Sequence, residues 1–398
     1  MASKNGGFIG TDGLDAPDAP TVDSVSAGGA SIEVSFTAPT DTGTSAITGF
    51  VAQASTDGTA YSAGSGTGTS SPITISSLTN GTAYTAKVWA INAYGTSAPS
   101  GASSSATPIA PRAVVFLGQA NDGSGNKAGI DFFDISSTGN TSDFGDIAGN
   151  TRVAMGSAGG SSSRGIWAGG TVSGLGAVDV MDYVTIQTTG NTTDFGNLVE
   201  AKSGCSSLSN DTRYITGGGS QSPADRIQYV TIATTGNATN FGDLTKNKAE
   251  FFSTANSTRG LWFTKGSGGS NEIEYVTIAS TGDGTDFGDM TVSCESAAAL
   301  ASSTRAIHGG GSGNLVDIGY VTIASTGNAT DFGDLTVGRT RMDGTSSSTR
   351  GVFCGGLASP GGVIDYVTIA TTGNATDFGD MSYATQYTSA TSAAHGGL

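Results

Sequence analysis

From residue 18 to residue 108 apolar and polar positions alternate with period two. The pattern is clear in Ser31-Ile32-Glu33-Val34-Ser35-Phe36, in Gly49-Phe50-Val51-Ala52-Gln53-Ala54 and in Tyr84-Thr85-Ala86-Lys87-Val88-Trp89-Ala90-Ile91-Asn92-Ala93, with Ile73-Thr74-Ile75 between them. Alternation puts one face of each run in a core and the other in water. About seven such runs in about ninety residues predict a β-sandwich.

Beyond residue 111 the runs are shorter and recur. Six segments carry a variant of Tyr-Val-Thr-Ile-Ala-Thr-Thr-Gly-Asn-Ala-Thr-Asp-Phe-Gly-Asp-Leu, with Phe144, Phe195, Phe241, Phe287, Phe332 and Phe378 at spacings of 51, 46, 46, 45 and 46 residues. In the last full unit, four strands are expected: a at 340–346, b at 351–356, c at 363–370 and d at 376–381. One such sheet cannot bury both faces alone, so neighbours must stack. A period in the mid-forties with four strands per unit predicts a six-bladed β-propeller over residues 112–398. The first unit opens in mid-repeat at Arg112-Ala113-Val114-Val115-Phe116-Leu117-Gly118, which aligns with strand b. The last residues, Tyr387-Thr388-Ser389-Ala390-Thr391-Ser392-Ala393, align with strand a. The two ends are expected to complete one blade, which would remove two free sheet edges.

Composition fits an all-β chain with many turns. Of 398 residues 63 are Gly, and only 13% are charged. Net charge is −16, of which −5 falls in residues 1–110 and −11 beyond them. This balance argues against a nucleic-acid partner, which would demand a basic face. No apolar run approaches a membrane span, and the first residues, Met-Ala-Ser-Lys-Asn-Gly-Gly, lack a secretory h-region. Cys205, Cys294 and Cys354 lie in different repeats without a Cys-x-x-Cys pair, so neither a disulfide framework nor a zinc site is expected. His308 and His395 are the only histidines. No cofactor or metal is expected.

Residues 18–108 resemble a fibronectin type III domain. The resemblance rests on Ala19-Pro20, Phe36-Thr37-Ala38-Pro39, Leu78-Thr79-Asn80-Gly81-Thr82-Ala83-Tyr84 and Val88-Trp89-Ala90-Ile91-Asn92-Ala93-Tyr94-Gly95. It implies a spacer or adhesive module, with Tyr84 as a tyrosine corner and Phe36 where the family usually has Trp. The order Arg, short strand, apolar run ending Gly-Gly, then Asp-Tyr-Val resembles the kelch motif. Its glycine pair recurs at Gly169-Gly170, Gly217-Gly218, Gly309-Gly310 and Gly355-Gly356. The fourth unit reads Trp262-Phe263-Thr264-Lys265-Gly266 instead, and the Trp usual in the last kelch strand is absent. The expected fold is therefore kelch-like.

Antiparallel strands place turns a–b and c–d on one face of such a disc and loops b–c and d–a on the other. The first face repeats almost unchanged. The second varies in length and chemistry, and differences between copies are where a binding site can arise. Its charged candidates for ligand binding are Arg226, Lys246, Lys248, Arg339 and Arg341. Arg164, Arg213, Arg259, Arg305 and Arg350 recur before strand b, and Asp143, Asp194, Asp286, Asp331 and Asp377 before the strand-d Phe. Six-fold arginines could bind an anion, but a structural bond to Asp or to a carbonyl in every blade is the plainer expectation. Thr281-Gly282-Asp283-Gly284-Thr285-Asp286-Phe287 has the wrong spacing for a sialidase Asp box. The Asp331-Phe332-Gly333-Asp334 pair of carboxylates is too sparse for calcium.

A polar arm (1–17), a fibronectin module and Gly/Ser/Thr-rich repeats together resemble structural proteins of tailed bacteriophages, particularly marine ones. The resemblance is carried by Gly7-Phe8-Ile9-Gly10-Thr11-Asp12-Gly13-Leu14-Asp15-Ala16-Pro17 and by the Asp-Tyr-Val-Thr-Ile-Ala-Thr-Thr-Gly-Asn-Ala-Thr-Asp-Phe-Gly-Asp units. It implies a non-enzymatic virion protein, present in several copies, docked through its arm to other virion proteins. Such a protein is a tail fibre or appendage recognising a host-surface glycan, or a head decoration or capsid fibre. A glycan-cleaving propeller is the third possibility, against which the lack of a clustered carboxylate or His set counts.

Overall fold

The computed structural model describes residues 14–149, 152–153, 157–264 and 271–395. Most of the expected arm therefore lies outside the described residues. The chain forms two compact units, residues 1–110 and 111–398, and among the described residues every regular element is a strand.

In the first unit, β1 (Thr21–Gly28), β2 (Ser31–Thr37), β3 (Ile47–Ser55), β4 (Gly64–Gly68), β5 (Ile73–Ile75), β6 (Thr85–Asn92) and β7 (Gly95–Thr96) form two antiparallel sheets. Their orders are β1-β2-β5 and β4-β3-β6-β7. The period-two faces meet in one core: Ile32, Val34 and Phe36 from β2, Phe50, Ala52 and Ala54 from β3, and Ala86, Val88 and Ala90 from β6. Phe36 and Phe50 pack with ring centroids 4.8 Å apart. The Tyr84 hydroxyl accepts the N–H of Thr79 at 3.1 Å, which pins the corner leading into β6. The unit starts earlier than the alternation shows. The Asp15 carbonyl accepts Asn92 Nδ2 at 2.9 Å and the N–H of Thr44 at 3.2 Å.

After β7 the edge of β6 is satisfied in an unusual way. Ser97, Ser100 and Ser103 donate their N–H to the carbonyls of Ala90, Val88 and Ala86. Their hydroxyls accept the N–H groups of the same three residues at 2.8–2.9 Å. A step of three residues on one side matches a step of two on the other. The segment thus follows β6 without pleating as a strand, and the hydroxyls replace missing carbonyls.

Among the described residues the second unit contains six small, open antiparallel sheets with strands in the order a-b-c-d, and a further two-stranded sheet of Gln119–Ala120 and Thr385–Gln386. Sheet 1 is Ser389–Ser392, Arg112–Phe116, Gly129–Asp134 and Ser142–Asp146. Sheet 2 is Ser157–Gly160, Arg164–Ala168, Gly176–Thr185 and Thr193–Lys202, extended by Arg152–Val153 and Thr171–Val172. Sheet 3 is Cys205–Ser209, Arg213–Gly218, Arg226–Thr231 and Thr239–Asp243. Sheet 4 is Phe252–Ala255, Arg259–Phe263, Glu272–Thr277 and Thr285–Asp289. Sheet 5 is Ala298–Ala301, Arg305–Gly309, Asp317–Thr322 and Thr330–Asp334. Sheet 6 is Asp343–Ser346, Arg350–Cys354, Val363–Thr368 and Thr376–Asp380. Strand a of each sheet neighbours strand a of the sheets before and after it, and that of sheet 1 also neighbours that of sheet 2. Strand a of sheet 1 comes from the end of the chain and pairs with 112–116, Ser389 opposite Phe116 and Ser392 opposite Ala113.

The observed strands are shorter than the apolar runs. In sheet 6, strand a begins at Asp343 because Arg341 takes φ 59°, and strand b stops at Cys354 because Gly355 and Gly356 take φ 65° and 100°. In every c–d pair the register shifts by one residue opposite the repeated Phe. This bulge turns the Phe out of the alternation and into the layer between successive sheets. Phe378 of sheet 6 meets Phe133 of sheet 1 at 5.1 Å, and Phe287 of sheet 4 joins Ala299, Val321 and Ile323 of sheet 5.

The repeated motif is an inter-sheet joint. The N–H groups of Gly139, Gly190, Gly236, Gly282, Gly327 and Gly373 donate to the carbonyls of Phe378, Phe144, Phe195, Phe241, Phe287 and Phe332 at 2.8–2.9 Å. The next side chain, Asn or Asp283, accepts an N–H two residues beyond the same Phe. The six bonds of each kind run once around the unit. A Cβ on Gly333 would lie 2.5 Å from the Gly373 carbonyl oxygen, so the Gly of Asp-Phe-Gly is required by close approach.

Candidate binding face and axial cavity

The recurring arginines belong to the framework. Arg112, Arg164, Arg213, Arg259, Arg305 and Arg350 each donate Nη1 to the carbonyl of Ile186, Ile232, Ile278, Ile323, Ile369 and Ile135 in the next sheet, at 2.7–3.3 Å. Each guanidinium also lies 4.4–4.8 Å from the centroid of Phe132, Tyr183, Tyr229, Tyr275, Tyr320 or Tyr366 in its own sheet. Arginine's planar cation suits both contacts at once. The recurring aspartates before the Phe are exposed and make no ion pair among the described residues.

The five candidates on the variable side have different fates. Lys248 and Arg339 are not available to a ligand. Lys248 is bonded to Glu274 with both side chains buried, and Arg339 Nη1 reaches Asp365 at 2.7 Å with both fully buried. Unpaired charges at these depths would cost several kcal/mol, which is why both cations turn inward. Arg226 pairs with Glu200, and half-exposed Lys246 with Glu272, whose hydrogen bond raises the lysine pKa. Arg341 donates to Gln386 Oε1 at 2.8 Å and covers the Tyr387 ring at 4.6 Å.

One position of strand c explains the buried pairs. It holds Asp131, Asp182, Gln228, Glu274, Gly319 and Asp365 in sheets 1 to 6. In the other five sheets the chain segment leading into the sheet supplies its partner: Ser382 for Asp131, Arg152 for Asp182, the Val199 N–H for Gln228, Lys248 for Glu274, and Arg339 with Thr336 for Asp365. In sheet 5 the position is Gly319, opposite His308. A Cβ there would lie 2.5 Å from His308 Nε2. His308 packs against Phe252 and Phe263, its Nε2 has no partner among the described residues, and burial lowers its pKa to about 4. It is a neutral core group.

The innermost strands are built from Ser, Thr, Ala and Gly because they line an axial cavity. All six contribute, including Gly159, Ser207, Thr254, Leu300, Thr345 and Thr391, and His395 closes one end by bonding the Gly160 carbonyl at 2.7 Å. The cavity volume is about 60 Å3, room for water or a small ion but not an organic ligand. Ser206 and Asp343 also line a second cavity of about 70 Å3 at the end formed by the d–a loops.

The rim of that mouth is a ring of left-handed residues that pattern reading missed. Glu250, Ser296, Arg341 and Tyr387 take φ 57°, 53°, 59° and 56°, and their counterpart Gly204 takes 68°. Each N–H donates to the carbonyl of its predecessor: Glu250 to Gly204, Ser296 to Glu250, Arg341 to Ser296 and Tyr387 to Arg341, at 2.6–3.2 Å. The counterpart in sheet 2 falls outside the described residues. Non-glycine residues in this region cost energy, and such strain collects where it serves geometry or function. The available signal was Gly204 aligned with four non-glycine residues 46, 46, 45 and 46 positions apart.

Exposed large apolar side chains mark the same side. Among the described residues of the second unit they are Leu175, Val316 and Tyr383 in b–c or d–a loops and Val199 in the far half of strand d of sheet 2. Lys127 stands 4.7 Å over the Tyr383 ring.

No curated protein matches the chain. Residues 15–106 match the family model described as Fibronectin type III domain. With the two-sheet topology, the shared core and the tyrosine corner already described, the first unit of this all-β protein is a fibronectin type III domain.

Proposed function

We propose that the second unit is a six-bladed, kelch-like β-propeller closed by its C-terminal strand. We also propose that the chain is a non-enzymatic structural protein of a phage virion, a tail fibre or appendage whose variable face contacts a host-surface glycan. The cyclic order of the innermost strands and the two six-fold sets of bonds support the propeller reading. The virion reading rests on the style of the modules and repeats. The observation that carries the binding reading is one-sidedness: Leu175, Val199, Val316 and Tyr383 all stand on the b–c and d–a side, and the a–b and c–d side exposes no large apolar residue among those described. An exposed tyrosine beside a lysine offers a stacking platform with a polar edge, which suits a sugar ring more than a tight small-molecule pocket does. Many copies would make weak contacts sufficient.

The test is an array of bacterial surface polysaccharides probed with the purified chain. Tyr383→Ala combined with Leu175→Ser should abolish binding. Thr189→Ala with Thr326→Ala, on the opposite side, should leave it intact. Loss of binding only in the second pair would reverse the face assignment, and retention in both would end the glycan reading. Immunogold labelling of virions distinguishes a tail from a head position.

A further inference from the structure

We propose that the axial cavity binds one small monovalent cation at Asp343 and Thr345: sodium, potassium or ammonium. The inference is independent of the binding face. Strand alternation sets Asp343 and Thr345 on the same side of the innermost strand of sheet 6, and both line the cavity. Asp343 Oδ1 accepts the N–H of Gly344 and Oδ2 that of Ala390, each at 2.8 Å. An ionised carboxylate has about four acceptor sites, so about two are left over. No Lys, Arg or His pairs with it among the described residues. The Thr345 hydroxyl, 3% exposed, has no hydrogen-bond partner there either. Ser206 of sheet 3 and Ser253 of sheet 4 also line the cavity, their hydroxyls bonded to each other at 2.7 Å.

The other charged or titratable groups near the cavity do not supply the missing positive charge. Arg341 at the mouth is turned to Gln386 and Tyr387, and Glu250 beside it adds negative potential. The His395 imidazole at the far end is held below its usual pKa by burial, and the Tyr387 phenol is held above its own. A partly buried carboxylate that lines the cavity without a countercharge is stabilised by taking up either a proton or a cation. Burial pushes Asp343 up to about 7, so the two compete near neutrality. A divalent ion is disfavoured, because calcium wants six to eight oxygens from several carboxylates. Among the described residues no group of three His, Cys, Asp or Glu could hold a metal.

The experiment melts the full chain at pH 8 in equal concentrations of NaCl, KCl, NH4Cl and N-methyl-D-glucamine chloride. At least one small cation should raise the midpoint of the second unit by roughly 2–4 °C over the bulky one, as expected for occupancy a few-fold above Kd. The difference should vanish at pH 5 and in Asp343→Asn, and shrink in Thr345→Val. Equal midpoints in all four salts at pH 8, or a cation effect that survives in Asp343→Asn, would overturn the site. If Asp343→Asn does not fold, anomalous scattering from rubidium in crystals of the unaltered chain decides. A peak beside Asp343 and Thr345 supports the proposal, and its absence removes it.

Discussion

Single residues here are chosen by what their neighbours leave unsatisfied. Gly319 makes room for His308, and the buried imidazole makes one unit pH-sensitive. Its folded pKa, about 4, lies below the ordinary value of 6.5. Between those values the unfolded chain holds a proton that the folded chain refuses. Stability therefore falls as pH drops from about 6.5 to about 4, by up to about 3 kcal/mol for a fully buried group. Asp343 acts in the opposite sense. Its folded pKa of about 7 exceeds 3.8, so its contribution is present at low pH and lost as pH rises through 7. The two windows overlap. In the shared window the two slopes oppose each other, so the expected outcome is a parent profile that is nearly flat there and a His308→Leu profile that falls steadily from about pH 4 toward pH 7. A variant whose pH profile matches the parent's would show that His308 does not offset Asp343.

At the scale of an element, the last segment of the fibronectin domain shows how hydroxyls can stand in for a ladder. Ser100 both donates its N–H to the Val88 carbonyl and accepts the Val88 N–H on Oγ at 2.9 Å. Ser100→Ala keeps the first bond and strands a buried donor. The expected loss is about 1–3 kcal/mol, the desolvation penalty of an orphaned N–H. Denaturant unfolding of residues 1–110 measures it, and Ser104→Ala, whose hydroxyl makes no such bond, serves as the control. Equal stability of the two variants would refute the substitution of hydroxyl for carbonyl. Strand d follows a related logic: one bulged residue redirects the Phe, and the glycine after it meets the next turn.

For the whole molecule, the decisive contact joins residues far apart in the chain. Ser389–Ser392 supply the innermost strand of sheet 1, and Asp343 and Ser346 bond the Ala390 N–H and the Ser392 hydroxyl from sheet 6. Removing residues 389–398 should expose two strand edges and break the cycle. The fibronectin domain should keep its melting transition while the second unit aggregates or melts at much lower temperature, as calorimetry would show. An unchanged second transition would mean that the cycle is not needed for stability.

Local chemistry determined much of this from the sequence alone. Period-two alternation and the Tyr84 corner specify the fibronectin domain, because burial of one strand face leaves a pattern in adjacent residues. Six repeats with an offset at the ends specify six sheets and show which strand lacks a local partner. The tertiary structure decided which cations are spent inside. Arg339 and Arg226 look alike in sequence, yet one is sealed against Asp365 and the other lies half-exposed beside Glu200. Charge type is local information, but burial depends on the carboxylate that a different strand brings within reach. The axial mouth was hidden for the same reason. Left-handed φ at Glu250, Ser296, Arg341 and Tyr387 follows from bonds between successive repeats, which no stretch of neighbouring residues records.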